Sequence, residues 1–397
     1  MKIVIFTLQL PPQHGGIGQT VLRVASRLAK ENEIWILLPS PSDEFKKKIL
    51  NLITNENLNI RILFLPSIHL GRFFENVFGE DIRNITNYLR NYNKNNIDNI
   101  LKEINPDTIL IFDPIGLAGF PKFIGYGKPL GIDYSNTHNV KMFVYYHSHY
   151  ISGLEFYSPI IRFFFRKLIK KFTYNYLIQY EKIYLFSPYI QDELKKVNVF
   201  NTEVVSIEGV DTHKFDSLNI DYIHHNLPTI IYFGRLMKEK NIKLMAEIIM
   251  KVDLKYRGNF RVKIIGNGPE KKHFEKLSKS INIEFIEWIE NEDLYQHVAN
   301  SDVFLNCSEF ETLGLSLAEA MYFKCVPVAY YLGGHTRLID HKNNGFLCKT
   351  VDDYTNHICF LFYNYDSRKK LGENAKTFII EKFDLDKNIE NLKKLIY

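Results

Sequence analysis

The sequence predicts an α/β protein of two Rossmann-like domains that face one another across a cleft. Two observations predict this fold class. Short apolar runs rich in β-branched residues alternate along the chain with stretches whose apolar residues recur at helical spacing. This alternation occurs twice, and a polar segment at residues 212–226 separates the two series. Since strands that alternate with helices form parallel sheets covered on both faces, we expect two such sheets.

The first series of strands and helices defines an N-terminal domain with predicted bounds 1–199. Its first helix is predicted at residues 19–31, because apolar residues from Val21 to Leu28 recur at the spacing of one helix face. The strands of this domain are predicted at residues 3–8, 34–38, 60–65, 108–112, 142–146 and 183–186.

The second series defines a C-terminal domain with predicted bounds 200–376. Its strands are predicted at residues 229–233, 262–265, 284–286, 303–305 and 326–329, and two of its helices at 243–252 and 314–323. The last segment, 377–397, is predicted to be a helix that returns to the N-terminal domain. Ligands of doubly wound sheets bind beyond the carboxyl ends of the strands, so we expect the site in the cleft.

The composition excludes several classes of protein. With 397 residues, 46% hydrophobic and 24% charged, the chain is typical of a globular protein and unlike a disordered or fibrous one. A net charge of +5 over this length is too small to indicate nucleic-acid binding. The four cysteines form no C-x-x-C pair, which favours a reducing, cytoplasmic location. No signal-peptide cleavage site and no apolar run near the ~18 residues of a membrane span are present, which leaves peripheral attachment to the inner face of a membrane open.

Two loops carry residue types that bind anions. Gly15 and Gly16 lie in a loop that leads into the first helix, where glycines let the backbone approach a ligand and the helix N-terminus favours an anion. Arg235 and Lys240 follow the strand at 229–233, in what we expect to be an exposed loop, and such cations bind phosphate groups. Each pattern alone is equally typical of an ordinary turn, so neither assigns a function by itself.

The segment 308–321 holds two carboxylates, Glu311 and Glu319. We expect a loop through Gly314 that places Glu311 before a helix and Glu319 within its first two turns. Backbone N–H groups near Gly314 and Leu315 would then point at an anion. Carboxylates bind vicinal hydroxyls, which suits a ribose and a hexose joined by a diphosphate. An isolated pair of glutamates more often lies on a solvated helix face.

The frame Glu-x-x-Gly-Leu-x-x-x-Glu-Ala-Met at residues 311–321 resembles the signature of the retaining GT-B glycosyltransferases, specifically glycosyltransferase family 4. Further motifs occur in the order of that family, over nearly the whole chain. They are Gly15-Gly16, Gly209-Val210-Asp211 with Phe215, Gly234-Arg235-Leu236 with Lys240, Gly266-Asn267-Gly268-Pro269, Gly333-Gly334 and Asn344-Gly345. The resemblance implies the GT-B fold and transfer of a sugar from a nucleotide-diphosphate donor with retention of anomeric configuration.

The resemblance also implies roles for the charged residues. Arg235 and Lys240 match the pair that holds the donor diphosphate. Glu319 matches the glutamate that binds the nucleotide ribose, and Glu311 matches the one near the hydroxyls of the donor sugar. We assign Glu311 to orientation and electrostatic stabilisation, without covalent chemistry.

Backbone and apolar contacts to the donor follow from the same resemblance. Gly314 and Leu315 would offer backbone amides to the phosphate or the sugar. Gly15 and Gly16 would lie against the diphosphate from the opposite domain. Ile289 lies where the loop that contacts the base follows a strand.

His147 follows the strand at 142–146, the position where members of this family carry a histidine that reaches the donor sugar. The resemblance therefore implies a catalytic role for His147. A metal site formed by His147 and His149 is the alternative, but the sequence offers no third ligand nearby. We expect no metal and no cofactor, because cations and helix amides would offset the charge of the leaving diphosphate.

Two other functions fit the same fold. A nucleotide-sugar 2-epimerase would share the donor site without an acceptor site. A non-catalytic nucleotide-sugar-binding subunit would keep the fold without turnover. For a transferase, the expected partners are a UDP-, GDP- or ADP-linked sugar and a glycan or lipid-linked acceptor, with no nucleic acid.

The segment 158–180 contains five cations and no acidic residue. At helical spacing its cations, Arg162, Arg166, Lys167, Lys170 and Lys171, lie opposite an apolar face. Such a basic, aromatic-rich amphipathic helix binds anionic lipid surfaces, and it is equally typical of a helix packed on its own domain.

Overall fold

The strands of the computed structural model form two separate parallel sheets, one in each of two units of the chain. The N-terminal unit comprises Met1–Glu208 and Asn388–Tyr397, and the C-terminal unit comprises Gly209–Lys387. The structure describes residues 1–8, 10–11, 16–39, 42–55, 58–65, 94–114, 129–146, 159–222, 227–257, 259–287, 289, 291–309, 311 and 314–397. The two sheets confirm the predicted α/β class with two Rossmann-like domains.

The N-terminal unit has a seven-stranded sheet with the order β3-β2-β1-β4-β5-β6-β7. Its strands are β1 (Lys2–Phe6), β2 (Glu33–Pro39), β3 (Ile60–Leu65), β4 (Thr108–Phe112), β5 (Lys141–Tyr146), β6 (Ile183–Leu185) and β7 (Thr202–Val204). Its helices are α1 (Gly16–Leu28), α2 (Asp43–Asn55), α3 (Lys94–Ile104), α4 (Ile132–His138), α5 (Pro159–Leu177) and α6 (Pro188–Lys195). The strand order reverses between β1 and β4, the switch point of a doubly wound sheet.

Helix α1 illustrates how the sequence forms these elements. Its predicted apolar face is buried, with Val21, Val24 and Leu28 inaccessible to solvent. The helix begins at Gly16 and ends at Leu28, three residues earlier at each end than the apolar pattern predicts. At this end the Asn32 side chain donates a hydrogen bond of 3.0 Å to the Leu28 carbonyl, which satisfies one of the free carbonyls of the last turn.

The C-terminal helix returns to the N-terminal unit, as predicted. This last helix of the chain spans Leu385–Ile396. Lys393 pairs with Glu31 at 2.9 Å, and Asn32 donates to the Tyr397 hydroxyl at 2.7 Å. Thr108 at the start of β4 donates to the Ile396 carbonyl at 3.3 Å. The end of the chain is therefore an integral part of the N-terminal unit.

The boundaries between the units lie later in the chain than the predicted 199/200 and 376/377. Strand β7 pairs in parallel with β6, which keeps the chain in the N-terminal unit until Glu208. The helix Tyr365–Lys382 belongs to the C-terminal unit, since its Ala375 and Ile379 are buried in that unit's core. The return to the N-terminal unit consequently comes at Asn388.

The C-terminal unit has a six-stranded sheet with the order β10-β9-β8-β11-β12-β13. Its strands are β8 (Thr229–Phe233), β9 (Arg261–Ile265), β10 (Ile283–Ile286), β11 (Val303–Asn306), β12 (Val326–Tyr330) and β13 (Phe346–Cys348). Its helices are α7 (Thr212–Asp216), α8 (Ile242–Tyr256), α9 (Lys272–Leu277), α10 (Asn291–Ala299), α11 (Leu315–Tyr322), α12 (His335–Leu338), α13 (Val351–Tyr363) and α14 (Tyr365–Lys382), and α15 (Leu385–Ile396) follows them. The strand order reverses between β8 and β11, which places a ligand crevice at the ends of these two strands.

Helices bury apolar side chains on both faces of this second sheet. On one face, Met245 and Ile249 of α8 pack with Ile358 of α13. On the other face, Met321 of α11 packs with Ile379 of α14. Burial on both faces explains why the strands read as continuous apolar runs.

Acid should destabilise the C-terminal unit through His357. This side chain stacks on Phe346, with ring centroids 4.1 Å apart. Burial lowers the pKa of His357, and the neighbouring His341 lowers it further, against an opposing effect of Asp353. A histidine pKa below its unfolded value gives stability that is present above about pH 6.5 and lost as the pH falls through the folded pKa.

We therefore expect the free energy of unfolding to decrease progressively from pH 7 to pH 5, as measured by urea denaturation. The variant His357→Phe keeps the stacking and removes the titrating group, so its loss of stability over the same range should be smaller. Equal losses in both proteins would contradict the assignment to His357.

Candidate active site

The candidate site lies where β8 and β11 end, at the switch point of the C-terminal sheet. These two strands are neighbours, with Ile230 opposite Val303 and Ile231 opposite Phe304. Because the strands are parallel, the loops that follow them leave the same edge of the sheet. The β8 loop carries Arg235, and the β11 loop carries Glu311 in front of helix α11.

The β8 loop is held by hydrogen bonds to the adjacent β9 loop. The Gly234 N–H donates to the Ile265 carbonyl at 3.0 Å, and the Leu236 N–H donates to the Asn267 carbonyl at 2.9 Å. Gly266 has a φ of +136°, and a Cβ atom there would lie 2.0 Å from the Gly234 carbonyl oxygen. A glycine at this position therefore allows the two loops to approach closely and fixes the backbone beside Arg235.

The central contact of the site is an ion pair between Lys240 and Glu311. The Lys240 Nζ donates to the Glu311 Oε1, and the side chains are only 17% and 14% exposed. Two further contacts hold the same loops: Asn241 donates to Glu309 at 2.9 Å, and the Ser308 hydroxyl donates to the Glu239 carbonyl at 3.2 Å. The expectation that Lys240 lies in an exposed loop is wrong, because the β11 loop covers its side chain.

The charges around Glu311 keep its carboxylate ionised. Burial by itself would raise the pKa of Glu311, but the Lys240 ammonium, with smaller effects of His335 and Arg235, lowers it below the ordinary value. Arg235 is 42% exposed and pairs with Glu239 at 3.2 Å. The site therefore combines an exposed guanidinium, a shielded ammonium and an ionised carboxylate.

Helix α11 points its N-terminus at this edge of the sheet. Gly314 precedes the helix with a φ of +83°, and its carbonyl accepts the first intrahelical hydrogen bond, from Ala318 at 3.0 Å. The N–H groups of Leu315, Ser316 and Leu317 precede this first hydrogen bond, which is the arrangement that favours an anion. Glu319 lies in the second turn, as predicted, and is 7% exposed.

His335 is a residue of this site that the sequence did not single out. It begins helix α12 after the Gly333-Gly334 turn and is completely buried. The Gly334 N–H donates to the Glu311 carbonyl at 3.0 Å, which holds the turn against the β11 loop. Only its position could have indicated His335, because the turn before it follows β12, the strand next to β11 in the sheet.

The other predicted site residues are placed as follows. Gly16 is the first residue of α1 in the N-terminal unit. Ile289 is half-buried and packs against the core of the C-terminal unit. Gly15 and His147 lie outside the described residues, as does His149, so their roles stay predictions. The structure brings Arg235, Lys240 and Glu311 to one edge of a single sheet.

A family model and several named relatives are similar to part or most of this sequence. The family described as glycosyl transferases group 1 matches residues 218–378. The sulfoquinovosyl transferase SQD2 from Arabidopsis thaliana is 31% identical over 162 residues, 40% of this chain and 31% of the relative. A GDP-mannose-dependent alpha-mannosyltransferase from Corynebacterium glutamicum is 23% identical over 359 residues, 89% of this chain and 78% of the relative. The chain spans between 31% and 48% of the length of the first three curated relatives that it matches.

Solved structures are similar over the whole chain. A glycosyltransferase from Rickettsia africae superposes with a TM-score of 0.70 at 18% identity, covering 100% of this chain and 97% of the other. The Anabaena protein HepE, solved in complex with UDP, superposes with a TM-score of 0.70 at 15% identity, covering 100% and 99%. At these identities the similarity establishes the fold. The chain therefore has the GT-B fold, and its residues 218–378 match the glycosyl transferases group 1 family.

Proposed function

We propose that this protein is a retaining glycosyltransferase that moves a sugar from a nucleotide-diphosphate donor to a hydroxyl of a glycan or lipid-linked acceptor. The proposal rests on one observation. Arg235, Lys240 and Glu311 lie at the same edge of the C-terminal sheet, where helix α11 begins. Two cations and a helix N-terminus suit a diphosphate, and a carboxylate beside them suits the hydroxyls of a sugar. The names of the relatives, which are sugar transferases, agree with this chemistry.

The reaction follows from where charge develops. Breaking the bond between the anomeric carbon and the diphosphate leaves negative charge on the diphosphate and oxocarbenium character on the sugar. Arg235, Lys240 and the amides before α11 stabilise the leaving group as hydrogen-bond donors. The acceptor oxygen bonds to the anomeric carbon on the face that the diphosphate leaves, and its proton passes to a diphosphate oxygen. Glu311 orients the sugar, and Glu319 binds the ribose of the nucleotide.

Four further residues have roles in this proposal. Gly15 and Gly16 approach the diphosphate, His147 reaches the donor sugar, and Ile289 of the C-terminal unit contacts the base. No metal or other cofactor is required, because two cations and the helix amides offset the leaving charge.

The function is tested by incubation of the purified protein with UDP-, GDP- and ADP-linked sugars, in excess EDTA, with lipid-linked and soluble glycan acceptors. We expect release of one nucleoside diphosphate together with a glycoside whose anomeric configuration, read by NMR, matches that of the donor. Interconversion of the sugar without an acceptor would indicate an epimerase. Binding without turnover of any donor would indicate a non-catalytic subunit. Activity that disappears in EDTA and returns with a divalent ion would support the metal site at His147 and His149.

An anionic membrane surface is the partner that we propose for helix α5. Arg166, Lys167 and Lys171 are exposed on this helix, whereas Phe172 and Tyr176 are buried in the N-terminal unit. Among the described residues, no helix has the length and apolarity to cross a membrane. The side chains at residues 159–165, which include Arg162, lie outside the described residues. Exposed cations near an anionic leaflet contribute about 1 kcal/mol each, so a cluster of this kind supports peripheral binding.

The protein should therefore sediment with vesicles that contain anionic lipid at low salt and remain in the supernatant at high salt. Replacement of Arg166, Lys167, Lys170 and Lys171 with Gln should abolish the low-salt binding. A matched control replaces four exposed lysines of the C-terminal unit, Lys238, Lys324, Lys342 and Lys349, with Gln. If both variants lose vesicle binding equally, or if the wild-type protein does not bind the vesicles, helix α5 has no role at membranes.

A further inference from the structure

His335 presents one ring nitrogen without a partner at the edge of the site. Its Nδ1 lies 2.9 Å from the Tyr330 carbonyl oxygen. Because a carbonyl oxygen only accepts hydrogen bonds, Nδ1 carries a proton, and the neutral ring therefore has a bare lone pair on Nε2. The Nε2 atom is buried and has no hydrogen-bond partner within the described part of the chain. An unsatisfied buried polar atom in a native site requires an explanation.

The His335 ring lies beside the start of α11, and the turn before it is hydrogen-bonded to Glu311. A Cβ atom on Gly314 would lie 3.9 Å from Cδ2 of His335, so the ring edge that carries Nε2 faces the start of the helix. The Gly334 N–H, one residue before His335, donates to the Glu311 carbonyl at 3.0 Å. The imidazole is thus fixed by its own backbone beside Glu311.

Two side chains act electrostatically on His335. Burial lowers the pKa of His335, Glu311 raises it, and Lys240 lowers it by a smaller effect. Arg235 acts on Glu311 in turn. Because burial lowers the pKa of His335 below its ordinary value, the imidazole is neutral at pH 7.5 in the ligand-free protein.

We propose that His335 replaces Lys240 as the partner of Glu311 when Lys240 turns to the diphosphate of a donor, and that donor binding thereby draws one proton from solvent onto Nε2. This inference rests on the proposed function, because it needs a diphosphate at Arg235 and Lys240. Without His335, departure of Lys240 would remove the cation that pairs directly with the buried Glu311 carboxylate, which is costly. With His335 present, its imidazolium pairs with Glu311 and holds the carboxylate in place for the sugar. His335 is therefore a positioning residue that acts through Glu311.

Proton uptake is measured by calorimetry of UDP, GDP and ADP binding at pH 7.5, in two buffers with different enthalpies of ionisation. The wild-type protein should take up about one proton more than His335→Asn for each nucleotide bound. Asparagine keeps an N–H for the Tyr330 carbonyl and removes Nε2. The control His297→Asn changes a half-buried histidine of helix α10 and should keep the wild-type value. Over the pH range in which the proton is taken up, the nucleotide affinity of the wild-type protein should fall about tenfold for each unit of rising pH. The affinity of His335→Asn should not show this fall.

The variant Glu311→Gln gives a second test that does not depend on the folding of His335→Asn. It removes the charge that recruits the proton, so it too should lose the extra uptake. If nucleotide binds with equal proton uptake in the wild-type protein and in both variants, the proposed role of His335 is wrong. The assignment of the donor site would still stand. Failure of the wild-type protein to bind any of the three nucleotides would overturn the proposed function and this inference together.

Discussion

Lys240→Met should lower the rate of sugar transfer by about 100-fold or more, the usual effect of removing one fixed donor to a developing anion. It should also lower the free energy of unfolding by up to about 3 kcal/mol, because the buried Glu311 carboxylate loses the Lys240 ammonium and must draw a proton onto His335 to replace it. The second effect follows from the shielding of both side chains, which are 17% and 14% exposed. Steady-state kinetics with the cognate donor and urea denaturation of the same preparation measure the two effects.

Two matched variants separate these effects. Arg235→Met removes an exposed cation, so it should lower transfer to a similar extent with little change in stability. Lys238→Met changes an exposed lysine of the same short turn and should alter neither quantity. Turnover close to that of the wild type in Lys240→Met or Arg235→Met would contradict the assignment of these residues to the diphosphate.

Glu319→Gln should weaken the binding of free nucleoside diphosphate by about 10- to 100-fold, the value of one or two hydrogen bonds to a charged group. The substitution keeps the size of a side chain that is 7% exposed in the second turn of α11 and removes only its charge. Glu311→Ala should instead lower turnover more than nucleotide affinity, since we assign Glu311 to the sugar. Calorimetry with the nucleotide alone distinguishes the two residues.

The exposed Glu309 provides the control for this comparison. It lies in the same loop and accepts a hydrogen bond from Asn241, but no donor contact is proposed for it. Glu309→Gln should bind nucleotide as the wild type does. Unchanged affinity in Glu319→Gln would contradict the assignment of Glu319 to the ribose.

Much of the fold could be predicted from the sequence, because most strands are buried on both faces and appear as apolar runs. Strands β4 and β8, for example, begin and end at the predicted residues. Strands β7 and β13 have three residues each and were missed, because β7 includes the polar Thr202 and Glu203 and the short apolar run of β13 is flanked by Gly345 and Lys349. The boundary at Glu208 was missed for the same reason, as β7 decides it.

The sequence predicted individual residues of the site from local motifs, but not the contacts between them. Arg235, Lys240 and Glu311 stood out as charged residues in glycine-containing frames. The pairing of Lys240 with Glu311 joins residues 71 positions apart, and it depends on the adjacency of β8 and β11 in the sheet. A single sequence does not distinguish His335 from an ordinary buried histidine. Its relevance depends on the unpartnered Nε2, which only the packing of the site reveals.

The central claim is that the crevice at β8 and β11 binds the diphosphate of a nucleotide donor. The most direct test is urea denaturation of the wild-type protein and of Arg235→Met, each with UDP, GDP or ADP. A nucleotide present at 100 times its dissociation constant should raise the free energy of unfolding of the wild type by about 2.7 kcal/mol. The same concentration should have much less effect on Arg235→Met. If none of the three nucleotides stabilises the wild type, or if the variant is stabilised equally, the crevice is not the donor site.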